Sequence, residues 1–127
     1  MSEAVLDASA ILAIIFDEPG AEKLTDEVLD KAVASTVNLA EVQSKLINKG
    51  FPPDEAWEDS LALVKAEHFT PEQAKTAGTL IRTTQPLDLS LGDRSCLALA
   101  IALQADVYTT EKSWKNLKLG VPIHVIR

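Results

Sequence analysis

Hydrophobic positions along this chain follow two rhythms. Short apolar runs, AVL at 4–6, AVAS at 32–35, DVYT at 106–109 and PIHVI at 122–126, read as strands. Between them lie longer stretches with apolar residues three and four apart. These predict helices over 8–16, 20–31, 38–49, 53–67, 71–84 and 93–104, and a short one near 111–117. Gly50 stands where a helix end needs a left-handed residue, and Pro52, Pro53 and Pro71 stand where helices can begin without losing a backbone donor. Strands alternating with helices predict an α/β domain on a mainly parallel central sheet of four to five strands. The stretch 93–104 is apolar on nearly every side, which predicts a buried helix; Cys96 within it is then an inert core thiol.

Composition narrows the class. A chain of 127 residues with 46% hydrophobic content suits one globular domain spanning residues 1–127. A single cysteine excludes a disulfide framework within the chain and suits a reducing, cytoplasmic setting. The N-terminal apolar stretch is broken by Asp7 and Asp17 and lacks a basic leader, so neither secretion nor membrane insertion is expected. A net charge of -7 speaks against a polyanionic partner, but the distribution changes that picture. Residues 1–72 carry 15 acids and 5 bases, whereas residues 73–127 carry 4 acids and 7 bases. Lys112, Lys115 and Lys118 recur at every third position, on roughly one side of a helical turn, either to touch phosphates or to form a solvated face. No G-x-x-x-x-G-K-[ST] loop is present, so nucleotide triphosphate hydrolysis has no support. His68 and His124 have no second ligand at a metal-binding interval and read as structural, as does Trp114, an anchor for the short helix.

Four acids stand near predicted helix starts: Asp7 after the first strand, Glu41 in the first turn after AVAST, Asp93 at the head of the buried helix, and Glu111 directly after DVYTT. Capping explains each alone, because acids complement the positive helix N-terminus; Asn38 with Glu41 and Ser90 with Asp93 have capping-box spacing. Glu41 and Lys45 also have the spacing of an ordinary i, i+4 pair. Together the acids say more. The carboxyl ends of parallel strands share one edge, where open α/β folds bind ligands, so these acids are expected to meet there. Neighbouring carboxylates repel and raise one another's pKa, and a hard cation removes the conflict. Oxygen ligands without histidine or thiolate suit Mg²⁺ or Mn²⁺. Metal ligation is therefore the expectation for Asp7, with capping as a compatible second role.

VLDASAIL, NLAEV, LSLGDRSCLALAIAL and VYTTEKSW, in this order and spacing, resemble the PIN domain, most closely the VapC-type toxins of bacterial toxin-antitoxin pairs. The resemblance covers essentially the whole chain. It implies a three-layer α/β/α fold and a Mg²⁺- or Mn²⁺-dependent endoribonuclease. The matching acids are Asp7, Glu41 and Asp93, with Glu111 in a slot where the family usually has aspartate. Ser9 and Thr109 resemble polar helpers that orient an acid or a water, with local capping by their hydroxyls as the alternative, and Arg94 joins Lys112, Lys115 and Lys118 as candidates for gripping the RNA backbone. The partners implied are RNA, a cognate antitoxin whose tail covers the cleft, and a second copy in a homodimer. Ile14, Ile15, Phe16, Phe51 and Trp57 are candidates to line a groove for that tail. The rival reading is a PIN-like scaffold that binds RNA or protein without cutting. Neither a receiver domain nor a haloacid-dehalogenase-like phosphatase fits, because AVLDAS lacks the paired acids each requires after its first strand.

Overall fold

The structure, a computed structural model, describes residues 3–127. Five strands, β1 (Ala4–Leu6), β2 (Ala32–Ser35), β3 (Lys65–Glu67), β4 (Asp106–Thr109) and β5 (Ile123–Val125), form one sheet in the order β3-β2-β1-β4-β5, parallel throughout. Six helices accompany them: α1 (Ala8–Ile15), α2 (Asp26–Leu29), α3 (Thr36–Asn48), α4 (Pro53–Leu61), α5 (Pro71–Thr83) and α6 (Leu91–Leu103).

Side-chain alternation along the strands sorts the helices into two layers. Ala4 and Leu6 of β1 and Ala32 and Ala34 of β2 face a core built with Ile11 of α1, Leu39, Val42 and Leu46 of α3, and Ala56 of α4. Val5, Val33 and Val107 point the other way, onto Leu80 of α5, the apolar run of α6 and the buried Trp114. Two faces covered by helices account for strands that are apolar on both sides. Among the described residues no helix is long and apolar enough to cross a membrane.

Strand β3 has no counterpart in the hydrophobic pattern, which runs a helix through 53–67. Helix α4 instead stops at Leu61, and Lys65, Ala66 and Glu67 pair with Val33, Ala34 and Ser35. An edge strand with two of three residues exposed carries no apolar alternation, and its charged pair, Lys65 Nζ to Glu67 Oε1 at 3.5 Å, suits an edge that must not recruit another strand. The helix expected over 20–31 is also absent as one piece. A 3₁₀ turn at Ala21–Lys23 ends at Leu24, buried in a non-helical conformation, and Thr25 then caps the single turn of α2. The end of α3 follows the expected rule: Gly50 has φ +99°, and the Phe51 and Gly50 N–H groups donate to the Leu46 and Ile47 carbonyls at 3.0 and 2.9 Å.

Order within the sheet places the site. From β1 the chain moves outward to β2 and β3, then returns to lay β4 on the other side of β1. The strand order therefore reverses between β1 and β4, and ligand crevices of open parallel sheets lie at the carboxyl ends of such a pair. Asp7 is the residue after β1, and its N–H donates to the Tyr108 carbonyl of β4 at 3.2 Å.

Candidate functional site

Asp7 is 3% exposed and its carboxylate is fully engaged. Ser9 Oγ donates to Oδ1 at 2.7 Å, the Ala10 N–H donates to Oδ1 at 2.9 Å, and Thr109 Oγ1 donates to Oδ2 at 2.6 Å. The two hydroxyls are themselves oriented: Ser9 Oγ accepts from the Thr110 N–H and Thr109 Oγ1 from the Glu111 N–H, both at 3.0 Å. Each hydroxyl thus points its only proton at Asp7. Asp7 caps α1, as the capping reading required, yet capping does not account for its burial. Burial pushes its carboxyl up from 3.8 to about 6, against the three hydrogen bonds that pull it down, and Asp93 adds a smaller upward push.

Glu41 departs from the expectation. Ser35 caps α3, so the helix starts at Thr36 and Glu41 falls in its second turn, not its first. It cannot cap. Its Oε1 accepts from Asn38 Nδ2 at 2.8 Å, and its carboxylate lies over the Cα of Gly92, where a β-carbon would overlap it. Among the described residues no ion pair joins Glu41 to Lys45. Gly92 precedes Asp93, so Glu41 and Asp93 are neighbours across the α3–α6 contact. Asp93 makes the full capping box with Ser90, its Oδ2 accepting from the Ser90 N–H at 3.0 Å.

Asp7, Asp93 and Glu41 also act together on Cys96. The thiol is buried in α6 and lies well above its ordinary pKa, first through burial and then through the fields of these three acids. Glu111 stands apart. It is exposed, and its link to the others runs through its backbone N–H and Thr109. Among the described residues no three acidic, histidine or cysteine side chains stand close enough to share one cation. Each carboxylate has donors of its own: Asp7 has Ser9 and Thr109, Glu41 has Asn38, and Asp93 has the Ser90 N–H.

The basic candidates divide as well. Two nitrogens of Arg94 already donate to carbonyls, to Ala77 at 2.8 Å and Leu89 at 3.4 Å, which braces α6 against α5. Lys112 and Lys115 are exposed in a 3₁₀ turn, where residues three apart align, while Lys118 lies past its end. A cavity of about 730 Å³ opens beside Ser9 and Glu111, walled by Leu12, Phe16 and Phe51 and edged by Lys45 and Lys49. Phe16 meets Phe51 edge to face at 6.2 Å between ring centroids. Of the other groove candidates, Ile14 and Ile15 pack against the core and Trp57 lies on α4 outside this cavity. His124 ties β5 to β4, with Nε2 2.9 Å from Asp106 Oδ2 and its ring stacked on Tyr108.

Sequence reasoning treated Asn38 only as a capping partner and passed over Gly92. Asn38 is 1% exposed, and its Nδ2 also donates to the Gly92 carbonyl at 3.0 Å. The N-x-x-E spacing was the available signal for Asn38; nothing local marks Gly92, whose contact comes from a helix fifty residues away.

The PIN-domain family model matches residues 4–119. The chain belongs to the PIN-domain family. Nothing among curated proteins matches the sequence. Among solved structures, this PIN domain is similar to VapBC2 from Rickettsia felis bound to a promoter DNA fragment, with a TM-score of 0.74 and 18% identity over 95% of this chain and 96% of that one. It is similar to DNA-bound VapBC from Salmonella typhimurium, with a TM-score of 0.75 and 14% identity over 98% of both chains. It is also similar to VapC20 of Mycobacterium tuberculosis, a sarcin-ricin loop cleaving toxin, with a TM-score of 0.72 and 16% identity over 94% of this chain and 98% of that one. At these identities the similarity is one of fold.

The Asp7 network makes a direct prediction for this PIN domain. Thr109→Val keeps the shape of a fully buried residue but removes the strongest hydrogen bond that lowers the Asp7 pKa, and strips the Glu111 N–H of its acceptor. A loss of about 1–3 kcal/mol is expected above pH ~6, where Asp7 is ionised, shrinking as the pH falls. Thermal melts across pH check it; a melt equal to wild type at every pH refutes the bond's role.

Proposed function

We propose that this PIN domain is a Mg²⁺- or Mn²⁺-dependent endoribonuclease and the toxin of a toxin-antitoxin pair. One observation carries the reading: a buried carboxylate, Asp7, held by three donors at the sheet's switch point with no basic side chain among its hydrogen-bond partners, and with Asp93 and Glu41 at the same edge. The family match and the VapC and VapBC names of its structural neighbours support the same reading.

The donor set suits a hard cation. It is all oxygen, it comes from three segments of chain, and the pressure on Asp7 to take up a proton is relieved by positive charge as well as by protonation. Asp7, Asp93 and Glu41 are the residues that would hold it, their side chains closing together around the ion, with Glu111 at the rim. When bound, such an ion supplies a water of lowered pKa and polarises a phosphoryl oxygen. The chain's own part is positional. Ser9 and Thr109 fix both oxygens of Asp7, so that the carboxylate does not turn when RNA arrives. Lys112 and Lys115, side by side on the 3₁₀ turn, offer positive charge to backbone phosphates. The Phe16–Phe51 cavity has an apolar wall of Leu12, Phe16 and Phe51 and a charged edge of Lys45, Lys49 and Arg127 facing Glu18 and Glu111, which fits an amphipathic antitoxin tail that carries both charges. A homodimer completes the assembly in this reading.

A second reading has its own support. Among the described residues the carboxylates are not gathered into a ready three-ligand group, and Glu111 is exposed, as suits a scaffold that binds RNA without cutting it. Labelled RNA incubated with the purified protein separates the two. Cleavage is expected with Mn²⁺ or Mg²⁺ and none with a chelator; RNA that is retained but never cut at any metal concentration establishes the binding module instead.

A further inference from the structure

Of Asp7, Glu41 and Asp93, Glu41 is the one whose carboxylate is held by a side-chain amide. Asn38 lies three residues before it on α3, fully buried, with Nδ2 donating to Glu41 Oε1 at 2.8 Å and to the Gly92 carbonyl at 3.0 Å. Both partners only accept, so the amide nitrogen must face them. That orientation leaves Asn38 Oδ1 buried without a partner. An unpaired buried acceptor is unfavourable, and an apolar side chain of the same size would join α3 to α6 without it. A purely structural role therefore explains Asn38 poorly. The seat it makes for Glu41 is specific: the carboxylate rests on the bare Cα of Gly92, one residue from Asp93.

We propose that Asn38 is a positioning residue that holds Glu41 beside Asp93 before any cation arrives, so that the glutamate need not be ordered on metal binding. The proposal rests on the nuclease reading above. Its physical basis is a competition. Without a tether, a half-buried glutamate with three free torsions gains conformational entropy by swinging into solvent. Freezing those torsions again would then be charged against metal affinity. The bond from Asn38 Nδ2 opposes the swing, while Gly92 leaves room for the retained carboxylate.

The test is a Mn²⁺ titration by calorimetry of the full chain without RNA, on wild type, Asn38→Ala, Asn38→Leu, Glu41→Gln and the Asn38→Ala/Glu41→Gln double variant. Thermal melts without metal accompany it. Leucine keeps the buried volume, so the Leu variant decides if the Ala variant does not fold. About tenfold weaker Mn²⁺ binding is expected for either Asn38 variant. The double variant should bind no more weakly than Glu41→Gln alone, because Asn38 acts through Glu41. Wild-type affinity in Asn38→Leu overturns the proposal, as does an undiminished Asn38→Ala effect in the Glu41→Gln background. Those failures leave the nuclease reading standing if wild type binds Mn²⁺ and cuts RNA. A wild type that does neither removes both.

Discussion

Asp7→Asn is expected to abolish Mn²⁺-dependent RNA cleavage, by a factor of about 10³ or more, while making the metal-free protein more stable at neutral pH. The loss follows from replacing the most buried metal-ligand candidate with a neutral amide. The gain follows from the cost of that same carboxylate. Its pKa is 3.8 ordinarily and about 6 in the fold, so above about pH 6 it is ionised in both folded and unfolded chains and the folded state bears the full penalty, roughly 3 kcal/mol. Between about pH 6 and 4 the folded chain takes up a proton that the unfolded chain does not, and the penalty fades as the pH falls. Asparagine has no such titration. Its amide is isosteric: Oδ1 still accepts from Ser9 and Ala10, and Nδ2 donates to Thr109 in place of accepting. The variant's advantage in melting temperature should therefore be largest above about pH 6 and vanish near pH 4. Added Mn²⁺ should reverse the order, raising the wild-type melt and leaving the variant unmoved. A variant that cuts RNA at the wild-type rate removes Asp7 from the site; one less stable than wild type at neutral pH refutes the account of its burial.

Gly92→Ala is expected to lower cleavage about 100-fold with little loss of stability. The new β-carbon falls on the Glu41 carboxylate, so the glutamate must leave its seat and Asn38 loses its acceptor. Glycine here is within helix α6, where alanine is intrinsically better by up to ~1 kcal/mol, and that gain offsets part of the lost contact. The discriminating experiment repeats the substitution on a Glu41→Ala background. With the carboxylate gone, the clash is gone, and alanine at 92 should raise the melting temperature. If Gly92→Ala instead destabilises both backgrounds equally, the tight contact is with something other than Glu41.

Much of the architecture was written locally. AVL, AVAS and DVYT are strands at the expected residues: β1 and β2 are buried along their whole length and end at the capping residues Asp7 and Ser35, while β4 alternates half-buried Asp106 and Tyr108 with buried Val107 and Thr109. The Ser90–Asp93 capping box and the Gly50 helix end were legible for the same reason: their partners lie within a few residues. Strand β3 was not legible, since an exposed edge strand is defined by its pairing with β2 and not by its own composition.

For the site, the sequence by itself determined which chemistry is on offer: four acids, two of them real caps, each near the end of a strand or the start of a helix, with hydroxyls at Ser9 and Thr109. Tertiary structure alone decided how those acids differ. Asp7 and Thr109 are about a hundred residues apart and bond because β1 and β4 lie side by side; Glu41 rests on Gly92 because α3 packs against α6; Glu111 is exposed at the edge of the cavity beside Ser9. Burial and distance set the energy of a charge, and both are properties of the packed chain, summed over neighbours that no local stretch of sequence contains.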